Sequence, residues 1–404
     1  MIQLLRKLGP GLIFAGAAIG VSHLVQSTKA GANFGLGLMW AMVLALLLKY
    51  PSFEFGARYP AATKQNLLQG YQKLGKWVLP IYTLMTLACM FTIQCCVTIV
   101  TASIASGIFN LDLDLKLWSS IITILLTCIL LLGQYKILDN IIKIVVICLS
   151  IATIFAVGFA FFNVESNLSL TQKFPTAMSE ITFLIAFMGW MPGPMDISVW
   201  QSLWTQEKQK NEPNISLKTT LFDFNIGYIG TFVIGVCFLL MGALLMYNHN
   251  VSFSDKGTEF ANQFLDMYSN TLGNFARLFI GIAALCCMIS TSLTCLDASP
   301  RAISESLRLM GSKLKNSYIL WVLTLAIGTI YILYFQSSDM ALLVKIATII
   351  SFVTAPAYAL LNHLVIFGKD TPKECQPKTF VKFWSIIGIL FLSIFSIWYV
   401  SILI

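Results

Sequence analysis

MGWMPGPMDISVWQS, from Met188 to Ser202, decides how the rest of the chain is read. The run is apolar enough to lie in a membrane, yet Pro192, Gly193 and Pro194 interrupt it beside the ionisable Asp196. Proline removes a backbone donor and glycine loosens the turn, so the freed carbonyls and amides need partners, and a substrate or ion can supply them. A carboxyl at membrane depth costs about 2.5–3.5 kcal/mol on insertion scales, which points to a working role for Asp196.

A second interrupted stretch lies near the N-terminus. It opens Gly9-Pro10-Gly11, runs through small residues to Gly20, and then places Ser22, His23, Gln26, Ser27 and Thr28 where lipid-compatible residues belong. VSHLVQS (Val21 to Ser27) and ISVWQS (Ile197 to Ser202) both set Gln-Ser just after the break. Interrupted helices at matching positions of two halves are the sequence mark of a transporter site at a repeat interface.

Apolar stretches fall at about 9–32, 36–57, 77–108, 117–134, 140–162, 181–204, 222–246, 272–296, 317–337, 340–365 and 383–403 by the criterion of ~20 residues per span. These eleven spans predict a single all-α polytopic transporter domain covering 1–404. Repeat one covers about 9–162, repeat two about 181–365, and an extra helix about 383–403. Five spans per half make the repeats inverted, the arrangement behind alternating access. The composition agrees: of 404 residues 57% are hydrophobic and 11% charged, which excludes both an ordinary soluble enzyme and a disordered chain. The first span is too long for a signal-peptide core and is followed at once by another.

With the N-terminus in the cytoplasm and the C-terminus outside, nineteen of the 26 Lys and Arg residues fall on cytoplasmic segments. Lys116, Lys173, Lys256 and Arg277 fall outside, while Lys29, Lys49 and Lys345 remain in spans, where they are expected to snorkel or line water near helix ends. The net charge of +8 therefore reflects topology in a cell membrane, plasma or inner, and attraction to the lipid bilayer; no nucleic-acid partner is expected. Nine of the ten cysteines lie in apolar runs and read as small buried residues, with Cys375 in a loop. His23, His249 and His363 are far apart, so no resident metal cofactor is expected. No GxSxG, P-loop or HExxH motif occurs, so the chain is not expected to be an enzyme.

GPGLIFAGAAIGVSHLVQSTKAGANFGLGLMW (Gly9 to Trp40), ILLLGQYKILDNIIKIVV and the Met191-Pro192 pair resemble the NRAMP (natural resistance-associated macrophage protein) metal-ion transporters. The resemblance runs through most of the chain. It implies the leucine-transporter type of fold and proton-coupled uptake of divalent metals such as Mn or Fe. It also exposes departures. Where the family has Asp-Pro-Gly-Asn, this chain has Gly20-Val21-Ser22-His23, so the coordinating carboxylate falls on Gly20 and the asparagine on His23. Where the family has Met-Pro-His-Asn, this chain has Met191-Pro192-Gly193-Pro194. The third span carries Gln94 and Thr98 but none of the family's acids.

Two site chemistries follow. In one the carboxylate has moved to the other broken helix, and Asp196, His23 and Met191, or Met195, with freed carbonyls hold a transition metal. In the other the cargo is a small organic acid or amino acid, hydrogen-bonded by Ser22, Gln26, Ser198 and Gln201, with Asp196 carrying the coupling proton. The same residues have plainer roles: His23 as a cap for freed carbonyls, Met191 and Met195 as packing. Glu54 with Arg58, and Asp297 with Arg301, are each four apart and predict ion pairs; the second pair lies where a cytoplasmic gate would be.

Overall fold

The computed structural model describes residues 9–111, 113–133, 135–163, 169–247, 251–314 and 317–403. Arg6, Lys7, Lys315 and His249 lie outside these, as do Gln134 of the family-like ILLLGQYKILDNIIKIVV stretch and the side chains of Lys136 and Lys143.

Among the described residues the chain is helical, without strands. The first span is α1 (Pro10–Ala18), a π-helical segment (Ser22–Ser27) and α2 (Thr28–Phe34); α3 (Met39–Thr63) is the second. The short α4 (Leu67–Leu74) precedes α5 (Val78–Phe109), α6 (Leu115–Leu131) and α7 (Tyr135–Asn163), which complete the first half. The second half runs α8 (Met178–Trp190), α9 (Ile197–Asn211), α10 (Leu217–Leu245), α11 (Gly257–Leu272), α12 (Asn274–Leu309), α13 (Ser317–Tyr331) and α14 (Met340–Ile366), with α15 (Thr379–Leu403) last.

Six helices are long and apolar enough to cross a membrane by length and composition: α5, α10, α12, α13 with its π-helical end, α14 and α15. α1 with Ser22–Phe34, bent by 47°, makes a seventh. Three of the other expected spans miss that test for visible reasons. α3 carries Lys49, Glu54 and Arg58; α6 has 17 residues; α8 and α9 are two pieces of one broken helix. α4 and α11 are helices that the span map leaves in loops, and α4 is set by an Asn66–Gln69 capping box.

α10 packs along both halves of the first span, α9 against α3, and α12 against α5 and α1. The first contact is backbone to backbone. A Cβ on Gly11 would meet Asp223 O at 2.1 Å, and one on Gly242 would meet Thr28 O at 2.2 Å. Small residues at such crossings let helices approach where lipid gives no hydrophobic drive for association. The broken first span is thereby pinned at both ends to α10, and its break faces that of α8–α9.

Candidate functional site at the two helix breaks

α1 stops at Ala18 because Ile19 leaves the helical conformation, and Gly20 follows. The carbonyls this frees are not left open. Cys287 Sγ of α12 donates to Ile19 O at 2.9 Å, and Thr291 Oγ1 lies 3.3 Å from Gly16 O and 3.4 Å from Ile19 O. Thr291 also takes the space beside Gly20: a Cβ there would meet its Oγ1 at 2.7 Å and its Cγ2 at 2.9 Å. The position of the family's carboxylate is therefore filled by a hydroxyl and a methyl from another helix. Sequence reasoning missed Thr291 and Cys287, since nothing in their own helix marks them.

Val21, Ser22 and His23 are buried at the start of the π-helical segment. Ser22 Oγ lies 2.6 Å from Ala18 O, 2.7 Å from His23 Nδ1 and 3.2 Å from Pro192 O, so it joins one break to the other. His23 Nε2 is 2.9 Å from Thr231 O. A carbonyl only accepts, so Nε2 carries its hydrogen there. Nδ1 faces Ser22 Oγ and, at 3.1 Å, Ala18 O. His23 thus donates through Nε2 to the Thr231 carbonyl of α10 and accepts from the Ser22 hydroxyl through Nδ1. A Cβ on Gly235 would be 3.5 Å from His23 Nε2 and 3.6 Å from Met191 Sδ, which places these two at one point of α10.

In the second break Pro192 is buried with Met191, and Asp196 forms the N-cap of α9 without capping it. Asp196 is 3% exposed; no side chain hydrogen-bonds its carboxyl, which is left to the amides of Asp196 and Ile197 at the start of α9. Tyr82 and Cys89 of α5, Cys295 of α12 and Tyr358 of α14 lie within its electrostatic reach; they come from three helices and were not legible beforehand. Tyr82 Oη is a buried atom without a partner. Gln94 Nε2 donates to Thr98 Oγ1 at 3.1 Å and Gln201 Nε2 to Thr205 Oγ1 at 3.4 Å, leaving both side-chain carbonyls unpaired. Gln26 Oε1 is also unpaired, and Gln26 lines a cavity of about 280 Å³ with Lys29, Asp255 and Lys345. Ser198 Oγ donates to Met195 O at 2.7 Å and accepts from Asn362 Nδ2 at 2.9 Å.

Among the described residues no three His, Cys, Asp or Glu side chains gather as a metal cluster. Both expected ion pairs form. Glu54 receives Arg58, whose Nη1 also donates to Cys375 O at 3.1 Å. Asp297 receives Arg301 at 2.7 Å and Tyr318 Oη, on the wall of a cavity of about 930 Å³ at the end of the bundle where α1 begins. Asp223 of α10 accepts from Gly9 N and Gly11 N, each at 2.9 Å, and clamps the start of α1. Lys29 pairs with Asp255 at 2.9 Å on the wall of the 280 Å³ cavity. Lys49 departs from expectation. It does not snorkel but is fully buried, with Nζ 2.7 Å from both Met188 O and Gly189 O, because the second break leaves those carbonyls without amide partners.

Two interrupted helices facing each other across a bundle, with cavities at opposite ends, define a membrane transporter. The family model for natural resistance-associated macrophage protein-like proteins matches residues 11–401, and the chain belongs to that family of transporters, not enzymes. It is 33% identical over 402 residues to an uncharacterized protein of Pasteurella multocida, covering 98% of this chain and 92% of the other. Among solved structures it is similar to a manganese transporter of Eremococcus coleocola (TM-score 0.75, 14% identity, 97% of this chain and 85% of that one). It is also similar to MhsT in complex with L-phenylalanine (TM-score 0.65, 14% identity, 97% of each chain). At such identities these two likenesses carry the leucine-transporter-type fold alone.

Proposed function

We propose that the protein is a proton-coupled secondary active transporter whose cargo is a divalent transition-metal ion taken up at Asp196. The observation that carries this is the buried carboxyl of Asp196, met by no side-chain donor or cation beside a helix break. A buried carboxylate without a counter-charge is costly, and a cation or a proton is what relieves it. Family membership and the likeness to the manganese transporter of Eremococcus coleocola support a metal as the cation. The site is an altered one: Asp196 with Met191 and break carbonyls replaces the family's helix-one carboxylate, and His23 positions Ser22 by its carbonyl bonds. Coupling then alternates proton and metal on one acid, while Glu54–Arg58 and Asp297–Arg301 act as ion pairs that part and close as the bundle rocks. The charge count supports a cell-membrane protein with its N-terminus inside and C-terminus outside.

A symporter of a small organic acid or amino acid is the second reading. The filling of the Gly20 position by Thr291 favours it, together with the unpaired amide oxygens of Gln94 and Gln201. Proteoliposome uptake separates the two. Under an inward proton gradient, Mn²⁺ should accumulate with the parent chain and fail to do so with Asp196→Asn. Accumulation of an amino or organic acid, with none of Mn²⁺, Fe²⁺ or Zn²⁺, would replace the first reading by the second.

A further inference from the structure

Pro192 has no amide hydrogen, so Met188 O, four residues back, loses the donor that an unbroken helix would give it. α8 ends at Trp190, and Gly189 O is freed by the same interruption. One side chain from another span takes both. Lys49 lies in the interior of α3, is 0% exposed, and places Nζ 2.7 Å from each carbonyl. These are last-turn carbonyls of α8, where the negative end of the helix dipole favours a cation. Asp196 stands on the far side of the same break, at the positive end of α9. A buried amine and a buried carboxyl therefore flank Pro192–Pro194, each at the helix end whose dipole suits its charged form.

Unwound carbonyls and half-helix C-termini are the groups that coordinate free Na⁺ in broken-helix transporters. An ammonium is a compact charge with three donors and answers the same need. We propose that Lys49 is a tethered cation: its ammonium fills the position at the freed α8 carbonyls that an alkali cation would otherwise take, so the protein needs no free monovalent cation to hold that half-helix in place. The tether also joins α8 to α3, five residues before Glu54 of the Glu54–Arg58 pair. Lys49 acts through the break and is a positioning residue. The assignment is independent of which cargo Asp196 takes.

Chemical rescue tests it without any transported substrate. The full chain is purified in detergent, and its thermal unfolding midpoint is followed by tryptophan fluorescence at constant ionic strength. Lys49→Ala should lower the midpoint, and methylammonium should raise it again saturably, whereas choline, too large for the vacated space, should not. The parent chain should not respond to methylammonium, and Lys49→Met, which fills the space without a charge, should be lowered and not rescued. Lack of a methylammonium-dependent rise in Lys49→Ala, an equal rise in the parent, or a Lys49→Met midpoint equal to the parent's would each overturn the assignment. Should Lys49→Ala fail to accumulate, the parent decides alone. Its midpoint should be the same in Na⁺, K⁺ and choline, and a saturable rise specific to Na⁺ or K⁺ would overturn the assignment.

Discussion

Gly20→Asp restores a carboxylate at the position where the family carries one, and the structure gives the cost. The new Cβ would meet Thr291 Oγ1 at 2.7 Å, Cγ2 at 2.9 Å and Cβ at 3.2 Å. Thr291 cannot simply rotate away, because its hydroxyl faces Cys287 O at 3.1 Å as well as Gly16 O and Ile19 O. Overpacking of this kind costs about 1–3 kcal/mol, and a buried acceptor without donors about 1–3 kcal/mol more. The single variant should therefore lose about 2–6 kcal/mol. Thr291→Ala removes both atoms that would lie under 3.0 Å and leaves only the Cβ contact. A double-mutant cycle should show a favourable coupling of about 1–3 kcal/mol between the two substitutions. With Thr291 shortened, the new carboxylate and the Gly16 carbonyl, no longer faced by the Thr291 hydroxyl, become oxygen donors, so the double variant should gain saturable Mn²⁺ binding. Denaturant titration in mixed micelles gives the stabilities of the four proteins, and calorimetry gives the metal binding. Stabilities additive to within about 0.5 kcal/mol, or a Gly20→Asp variant as stable as the parent, would refute the reasoning.

Asp196→Asn should keep expression and thermal stability near the parent's while abolishing concentrative uptake in proteoliposomes; parental accumulation would remove Asp196 from the mechanism. Because a ligating carboxylate must be ionised, Mn²⁺ affinity of the parent should fall as pH falls and lose that dependence in Asp196→Asn, as isothermal titration at stepped pH would reveal. Asp223→Ala deletes the carboxylate that holds Gly9 N and Gly11 N, charge-assisted bonds worth about 1.5–3 kcal/mol each, and should raise the thiol-reagent labelling rate of a cysteine placed at Ile13. An unchanged labelling rate would mean that α1 is held elsewhere. Cysteines at Ser22 and Ser198, in a background where Cys287→Ser keeps the donor to Ile19 O, should both be shielded by the same cargo. Protection at neither would reduce the two breaks to structural kinks.

The letters of the chain are enough to show that it crosses a membrane many times, that two of its helices are interrupted, and which family it resembles. Those properties are local. Proline and glycine act on their own turn, an apolar run of a given length suits a bilayer of given thickness, and ion pairs four residues apart share a helix face, so Glu54–Arg58 and Asp297–Arg301 were readable too. The single acid beside the second break was equally plain, because a carboxyl at membrane depth stands out against its neighbours. What fills the breaks was settled only in three dimensions. Pro192 announces that Met188 O is orphaned but not that Lys49, well over a hundred residues earlier, will satisfy it. The loss of an acid at Gly20 is visible in the letters, whereas its replacement by the hydroxyl and methyl of Thr291 depends on how α12 crosses α1. His23 reads as a ligand or as a cap from sequence; Thr231 O at 2.9 Å takes the hydrogen of Nε2 and leaves Nδ1, beside Ser22 Oγ, as the ring nitrogen that keeps a lone pair. A freed backbone group states its need in the sequence, but the partner that meets it is chosen by tertiary packing among residues distant in the chain, and each of those helices would form equally well without knowing of the other.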